Sequence, residues 1–495
     1  MKKFITISKN MLRPLLLLAS FLFGFGFAAF SQNSDSKGTD FWLMFNGNVS
    51  TPVLTVFITS DVATSGVVSI PGLGFSAPFT VAANSVTPVV VPTAAGTHTS
   101  NVVDNKGIHI TALQEVTVYG LNYAQFTTDA YLGLPTNVLG TDYIVLTYSG
   151  NNLSSLGIVG TVNATTVTIT PSVAASGRPA GVPFNITLNQ GQTYELGNAS
   201  DLTGTIITST SPVGVMGANA CANIPPGASF CDHINEMMPP TDTWGRKFGT
   251  VPLKSRANGD TWRFLASENA TVITINGVAQ PAINRGQFIE RILTTQSVIE
   301  SNKRILAAQY ANGSGFSGNP GDPFMMLIPP LEQFLAKYTV TTVSGYVAHY
   351  INVIAPNSIA GSLTLDGVVV PAASFTPIGT TGFSGAQITV TPGTHNLFGT
   401  LPFGVFMYGF TNDDSYGYPG GQSFAPVGIV NSVVLTPETG TAQVGTEQCF
   451  DALVKDQFGN TLAGVRVDFG ITGANPGSSS FAFTNGSGIA HFCYT

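Results

Sequence analysis

Charge is what this chain has least of. Only 9% of its 495 residues are Asp, Glu, Lys or Arg, well below the usual quarter. The 19 Lys and Arg are scattered and the net charge is −7, which argues against a phosphate-binding surface and against nucleic acid as a partner. Cysteine is scarce, with four in all and none in a C-x-x-C pair. Beyond residue 30 no unbroken apolar run approaches the ~18 residues of a membrane span, so no transmembrane segment is expected there. No stretch carries the period of a long amphipathic helix. Catalytic signatures are missing as well: G-x-S-x-G, HExxH and a Gly-rich phosphate loop before a helix do not occur. An enzyme is not expected, and neither is a cofactor.

What remains is 43% hydrophobic residues with 55 Gly and 30 Pro. That is too apolar for disorder and suits many short strands joined by turns. The first 31 residues read as a signal peptide. Lys2, Lys3 and Arg13 precede the apolar run 15–30, and the small residues Ala29 and Ser31 sit just before Gln32. Export makes disulfides the default for the four cysteines, with three connectivities open. Cys221–Cys231 would staple a long connector, and Cys449–Cys493 would close a loop in the last segment as an inter-sheet staple. A metal site on Cys231, His233 and Glu236 lacks a fourth ligand of fixed geometry and is set aside.

From Gln32 onward the chain alternates with period 2, bounded by Gly, Asn and Pro. Four units open at Asp40, Asp142, Lys247 and Lys337, about one per hundred residues, which marks an internal repeat. The units are placed at 38–141, 142–246, 247–336 and 337–428. Each ends in an apolar strand followed by a connector in which an Asp (129, 232, 322, 414) precedes a Pro by five to seven residues. The predicted class is all-β, with four antiparallel units. Six strands per unit favour sandwich-like modules over a propeller-like ring. The connectors read as packed, Ω-like loops, their aspartates as turn residues in separate units, too far apart for one site. Tyr123, Phe126, Tyr131, Tyr416 and Tyr418 fall in connectors and are the candidate ligand-facing aromatics for a protein or glycan.

Two resemblances follow from particular motifs. KGTDFWLMF (37–45), GIHITALQEVTVYGLN (107–122), TTDAYLGLP (127–135) and SPVGVMGANACANIPPGASFCDHINEMMPPTDTWG (211–245) resemble the N-terminal region of the IgGFc-binding protein family, over about 37–420. Asp456, Gly459 and Asn460, then Ala463-Gly464-Val465-x-Val467-x-Phe469, and later Thr484, Gly488, Ala490 and Phe492 resemble bacterial immunoglobulin-like domains of the invasin and intimin type (432–495). The chain stops just after the strand bearing Cys493, so a further strand is expected to complete that sandwich. The pairing resembles exported multidomain proteins of Bacteroidota. It implies an extracellular or outer-surface binding or adhesion protein, the alternative being a structural surface component without a specific ligand.

Overall fold

One long strand organises each unit. The computed structural model describes residues 35–97, 101–150 and 152–424, then 430–438, 443, 445–456, 461–462, 465–471, 479–485 and 487–495. The expected leader lies outside the described residues, as do Gly459, Asn460, Ala463 and Gly464. The long strands are Ile108–Ala124, Ser297–Tyr310 and Thr394–Thr411 in units one, three and four. In unit two the strand comes in two pieces, Ile206–Ser209 and Val213–Ala222. Pro212, which has no N–H for a ladder, lies at the break.

The N-terminal half of each long strand pairs with the unit's first and third strands. In unit one these are Gly38–Leu43 and Thr64–Ile70. The C-terminal half pairs with the second strand, Val53–Ser60, and with a return strand, Thr127–Gly133. The same four pairings recur in the other three units. Each unit is thus two antiparallel sheets sharing one crossing strand. The crossing shows as a break in register: the first strand's partner jumps from Thr111 to Val116, from Glu300 to Ile305 and from Phe398 to Phe403. Such an irregularity lets a strand change sheets.

The all-β class holds, and the two arrangements set against each other above prove compatible. The units are two-sheet modules, and their return strands (Thr127–Gly133, Asp232–Met237, Met325–Ile328 and Asp414–Pro419) pack on one another in cyclic order. Polar contacts tie every junction. Asn46 Nδ2 donates to Ser155 Oγ (3.0 Å) between units one and two. Arg263 reaches Asp201 (2.7 Å) between two and three, and Lys254 N donates to Tyr408 Oη (2.8 Å) between three and four. Tyr119 Oη donates to the Gly420 carbonyl (2.7 Å) between four and one. Ser36 N donates to Gln422 O (2.8 Å), which clasps the entry of the region to its exit. The apolar core respects no unit boundary: Phe41 and Val118 share one cluster with Val353 and Phe403, and Tyr143 and Leu156 share another with Leu265 and Tyr310.

The connectors are a correction. In unit two the long strand runs on through Asn219 to Ala222. Much of each segment read as an Ω-like loop is the return strand of a hairpin. Apolar weight showed that these segments were packed, but not that they paired.

The C-terminal segment holds a three-stranded sheet (Val430–Thr436, Gln448–Asp456, Ile489–Tyr494) and a two-stranded one (Arg466–Gly470, Ser479–Phe483). Both expected disulfides are present. The second one is not an inter-sheet staple, because Cys449 and Cys493 stand opposite each other on neighbouring strands of one sheet. No helix among the described residues is long and apolar enough to cross a membrane.

The two bridges span 10 and 44 residues, and loop closure values them at roughly 3 and 4 kcal/mol respectively. Replacing Cys449 and Cys493 by Ala should therefore destabilise the C-terminal segment more than the Cys221/Cys231 double change destabilises its hairpin. Limited proteolysis in a denaturant series checks this. Equal resistance of the C-terminal segment with and without its bridge would contradict it.

Candidate functional site

Where the four return strands meet, Asp129 lies fully buried. Its Oδ1 accepts from the amides of Ala130 (2.8 Å) and Gly417 (3.4 Å), and its Oδ2 from Asn235 (3.0 Å) and Met325 (3.1 Å). Those amides come one from each return strand. Burial pushes the carboxyl well up from the usual range, and the four N–H dipoles oppose the shift.

The other connector aspartates are brought together, contrary to the expectation of separate sites. Asp232 Oδ1 accepts from Thr128 N (2.7 Å) and His233 N (2.6 Å), and Asp414 Oδ2 accepts from Thr128 Oγ1 (3.0 Å). Asp232 and Asp414 thus meet at Thr128, and the other Asp232 oxygen, Oδ2, has no hydrogen-bond partner among the described residues. Burial pushes Asp414 up to about 7 and Asp322 up to about 6; burial, with Asp414 and Asp322 nearby, pushes Asp232 well up. The positions are not strictly equivalent. Asp129 and Asp414 each sit two residues before a tyrosine covering a strand glycine (Tyr131 on Gly120, Tyr416 on Gly409). Asp232 lies four before Glu236, the residue opposite Gly217. Cys231 is bridged to Cys221, and burial pulls His233 down to about 3, leaving its ring neutral. This centre is a packing device.

The five candidate aromatics divide. Tyr131, Tyr416 and Tyr418 are buried and corrected to internal anchors. Tyr131 Oη donates to Met44 O (3.0 Å), Tyr416 Oη meets His349 Nδ1 (3.0 Å), and Tyr418 packs on Tyr119 with ring centroids 4.6 Å apart. They point inward because they lie on return strands whose small partners, such as Gly120 and Gly409, leave room for a ring. Tyr123 and Phe126 do face outward, 36% and 57% exposed. Phe126 occupies a two-residue hairpin tip with φ +69°, a conformation that suits Asn or Gly far better than Phe. Sequence reasoning missed a companion. Phe230, in the loop 223–231 that closes the next hairpin, is 60% exposed with φ +66°. Its signal was a lone large apolar residue beside Cys231 in the Gly/Ser/Pro-rich stretch 225–229. The two hairpins are held side by side, where Thr128 N donates to Asp232 and His233 N to Thr127 Oγ1 (3.1 Å).

The buried acids generate a pH dependence. Their folded pKa values lie above the unfolded 3.8, so the folded state holds protons that the unfolded chain releases. The stability this contributes is full below about pH 4 and is lost as pH rises through about 6 and 7, at ~1.4 kcal/mol per unit per proton. Melting should therefore be higher at pH 5 than at pH 8, and Asp414→Asn should flatten the slope while keeping the fold. Asp129→Asn should destabilise at both values, because its NH2 faces amide donors, at roughly 1–3 kcal/mol per unsatisfied group. A pH-independent melting curve for the parent chain would refute the raised carboxyl pKa values.

With this geometry in hand, comparison with known proteins is informative. Residues 129–409, more than half of the chain, match the family described as IgGFc binding protein. A human protein named IgGFc-binding protein is 28% identical over 318 residues, which make up 61% of this chain and 6% of that protein. A solved anti-sigma factor domain-containing protein from Clostridium clariflavum covers 74% of this chain and 98% of its own, at 10% identity and a TM-score of 0.12, a likeness that carries no argument. The matched span opens on Asp129 and takes in the return strands of units two and three with the disulfide-closed hairpin between Cys221 and Cys231. The chain belongs to the IgGFc-binding protein family.

Proposed function

We propose that this is a non-enzymatic binding protein displayed outside the cell. In this reading the hairpin tips of units one and two contact a protein or glycan ligand, and the segment from 432 serves as an immunoglobulin-like stalk. The observation that carries it is the pair Phe126 and Phe230: each is an exposed aromatic held in left-handed backbone in the loop that closes a hairpin. That conformation costs a non-glycine residue roughly 1–2 kcal/mol, and such strain persists at sites where the side chain has a use. Tyr123 and its cross-strand partner Val53, 36% and 50% exposed, extend the apolar surface behind Phe126. Aromatic faces suit both sugar rings and protein hot spots. The signal peptide, family membership and two disulfides support an exported binding role. The human relative's name makes immunoglobulin Fc one ligand to try among glycoproteins and glycans.

The test is capture by the whole chain on a glycoprotein and glycan array that includes Fc. Phe126→Gly with Phe230→Gly should abolish saturable capture while leaving the melting temperature unchanged or higher, since glycine relieves the strain by roughly 1 kcal/mol per site. Capture that survives the double change would move the contact surface elsewhere. A blank array with well-folded parent chain would favour a structural surface component.

A further inference from the structure

We infer that the cleft between the first and second units is a binding site for a primary ammonium group, with the Glu195 carboxylate as its counter-charge. The cleft holds about 170 Å3 and is lined by Asn48, Val49, Thr97, Leu153, Ser155 and Glu195 among others. Glu195 lies on strand Thr193–Asn198 and is 7% exposed. Its Oε1 accepts from Asn46 Nδ2 (3.3 Å), and its Oε2 has no hydrogen-bond partner among the described residues. Burial pushes this carboxyl up from its usual range, and the groups among the described residues that oppose the shift are neutral: Thr97, Ser155, Asn46 and the Gly47 amide. At the junction of units two and three a buried charge does meet its opposite, Arg263 against Asp201 (2.7 Å). A buried acid without a counter-ion is costly, and this one borders a cleft through which a cation can arrive.

The remaining lining selects the kind of ligand. Asn48 Nδ2 donates inward, to Asn122 Oδ1 (3.1 Å) and Thr127 O (2.9 Å). Asn46 Nδ2 likewise serves Ser155 and Glu195. The amide donors are thus engaged, which disfavours a phosphate or carboxylate, while an acceptor is unused. Val49 and Leu153, each 48% exposed, offer aliphatic walls for a methylene stem or a sugar ring. Two sources share this chemistry: a lysine side chain of a partner protein, and an amino sugar.

Calorimetric titration of the whole chain with Nα-acetyl-lysine amide and with glucosamine tests the inference and separates the sources. Nε-acetylated lysine and N-acetylglucosamine serve as uncharged controls. At least one amine should bind saturably at about 10 mM or below, and its acetylated control at least about tenfold more weakly. Glu195→Gln should weaken binding by a similar factor. Leu153→Lys, at an exposed position on the cleft's wall, tethers an ammonium beside Glu195 and should block the site without perturbing the fold. The inference is overturned if neither amine binds, if the acetylated forms bind as well, or if both variants, folded as shown by melting, bind like the parent. The site is independent of the aromatic tips. The Phe126→Gly, Phe230→Gly variant should retain amine binding, so failure of one reading does not mask failure of the other.

Discussion

A single carboxylate holds the four units in register. Asp129 accepts one backbone amide from each return strand. An unmet amide at such depth would cost about as much as a lost hydrogen bond. Around it the acids of the other hairpins lie buried, the tyrosines fill the space above the strand glycines, and the apolar clusters run across unit boundaries. No unit owns a complete core, so the region is a closed cycle of interdependent sandwiches.

Much of this was legible in the sequence, because the side-chain period of a strand is short and local. The openings read at Asp40, Asp142, Lys247 and Lys337 all fall within the first strands of their units. The return strands were hidden. Pro323 and the Gly/Pro-rich approach to Cys231 carry loop signals, and apolar content alone does not distinguish a packed loop from an inner strand. Repeat logic then misled in a specific way. It treated Asp129, Asp232 and Asp322 as equivalent and hence remote, whereas they come from different registers and converge because the hairpins point to one centre. Tyr131, Tyr416 and Tyr418 were misread for the same reason, since facing direction depends on the pairing partner. Glu195 carries no local signal, its neighbours Tyr194 and Leu196 being ordinary core residues.

The two faces of the hairpins divide the labour. Inside, every aromatic finds a glycine to lie on or a ring to pack against. Outside, Phe126 and Phe230 accept a poor backbone geometry and remain exposed. The same hairpin that anchors Asp232 to its neighbours carries the disulfide, which limits the freedom of the Phe230 loop without adding to the core. Rigid support behind a strained tip favours association, since little conformational entropy is left to lose on contact.

The geometry at Asp129 also bears on how such a region can grow or shrink by duplication. The two oxygens of this carboxyl take two amides each, one from every return strand. A fifth copy of the module would bring an amide with nothing to accept it, and three copies would leave a lone pair bare in an apolar interior. Tandem arrays made of open rows have no such accounting and vary freely in length. Here one side chain ties the four copies together, so the loss of any one would be felt by the other three.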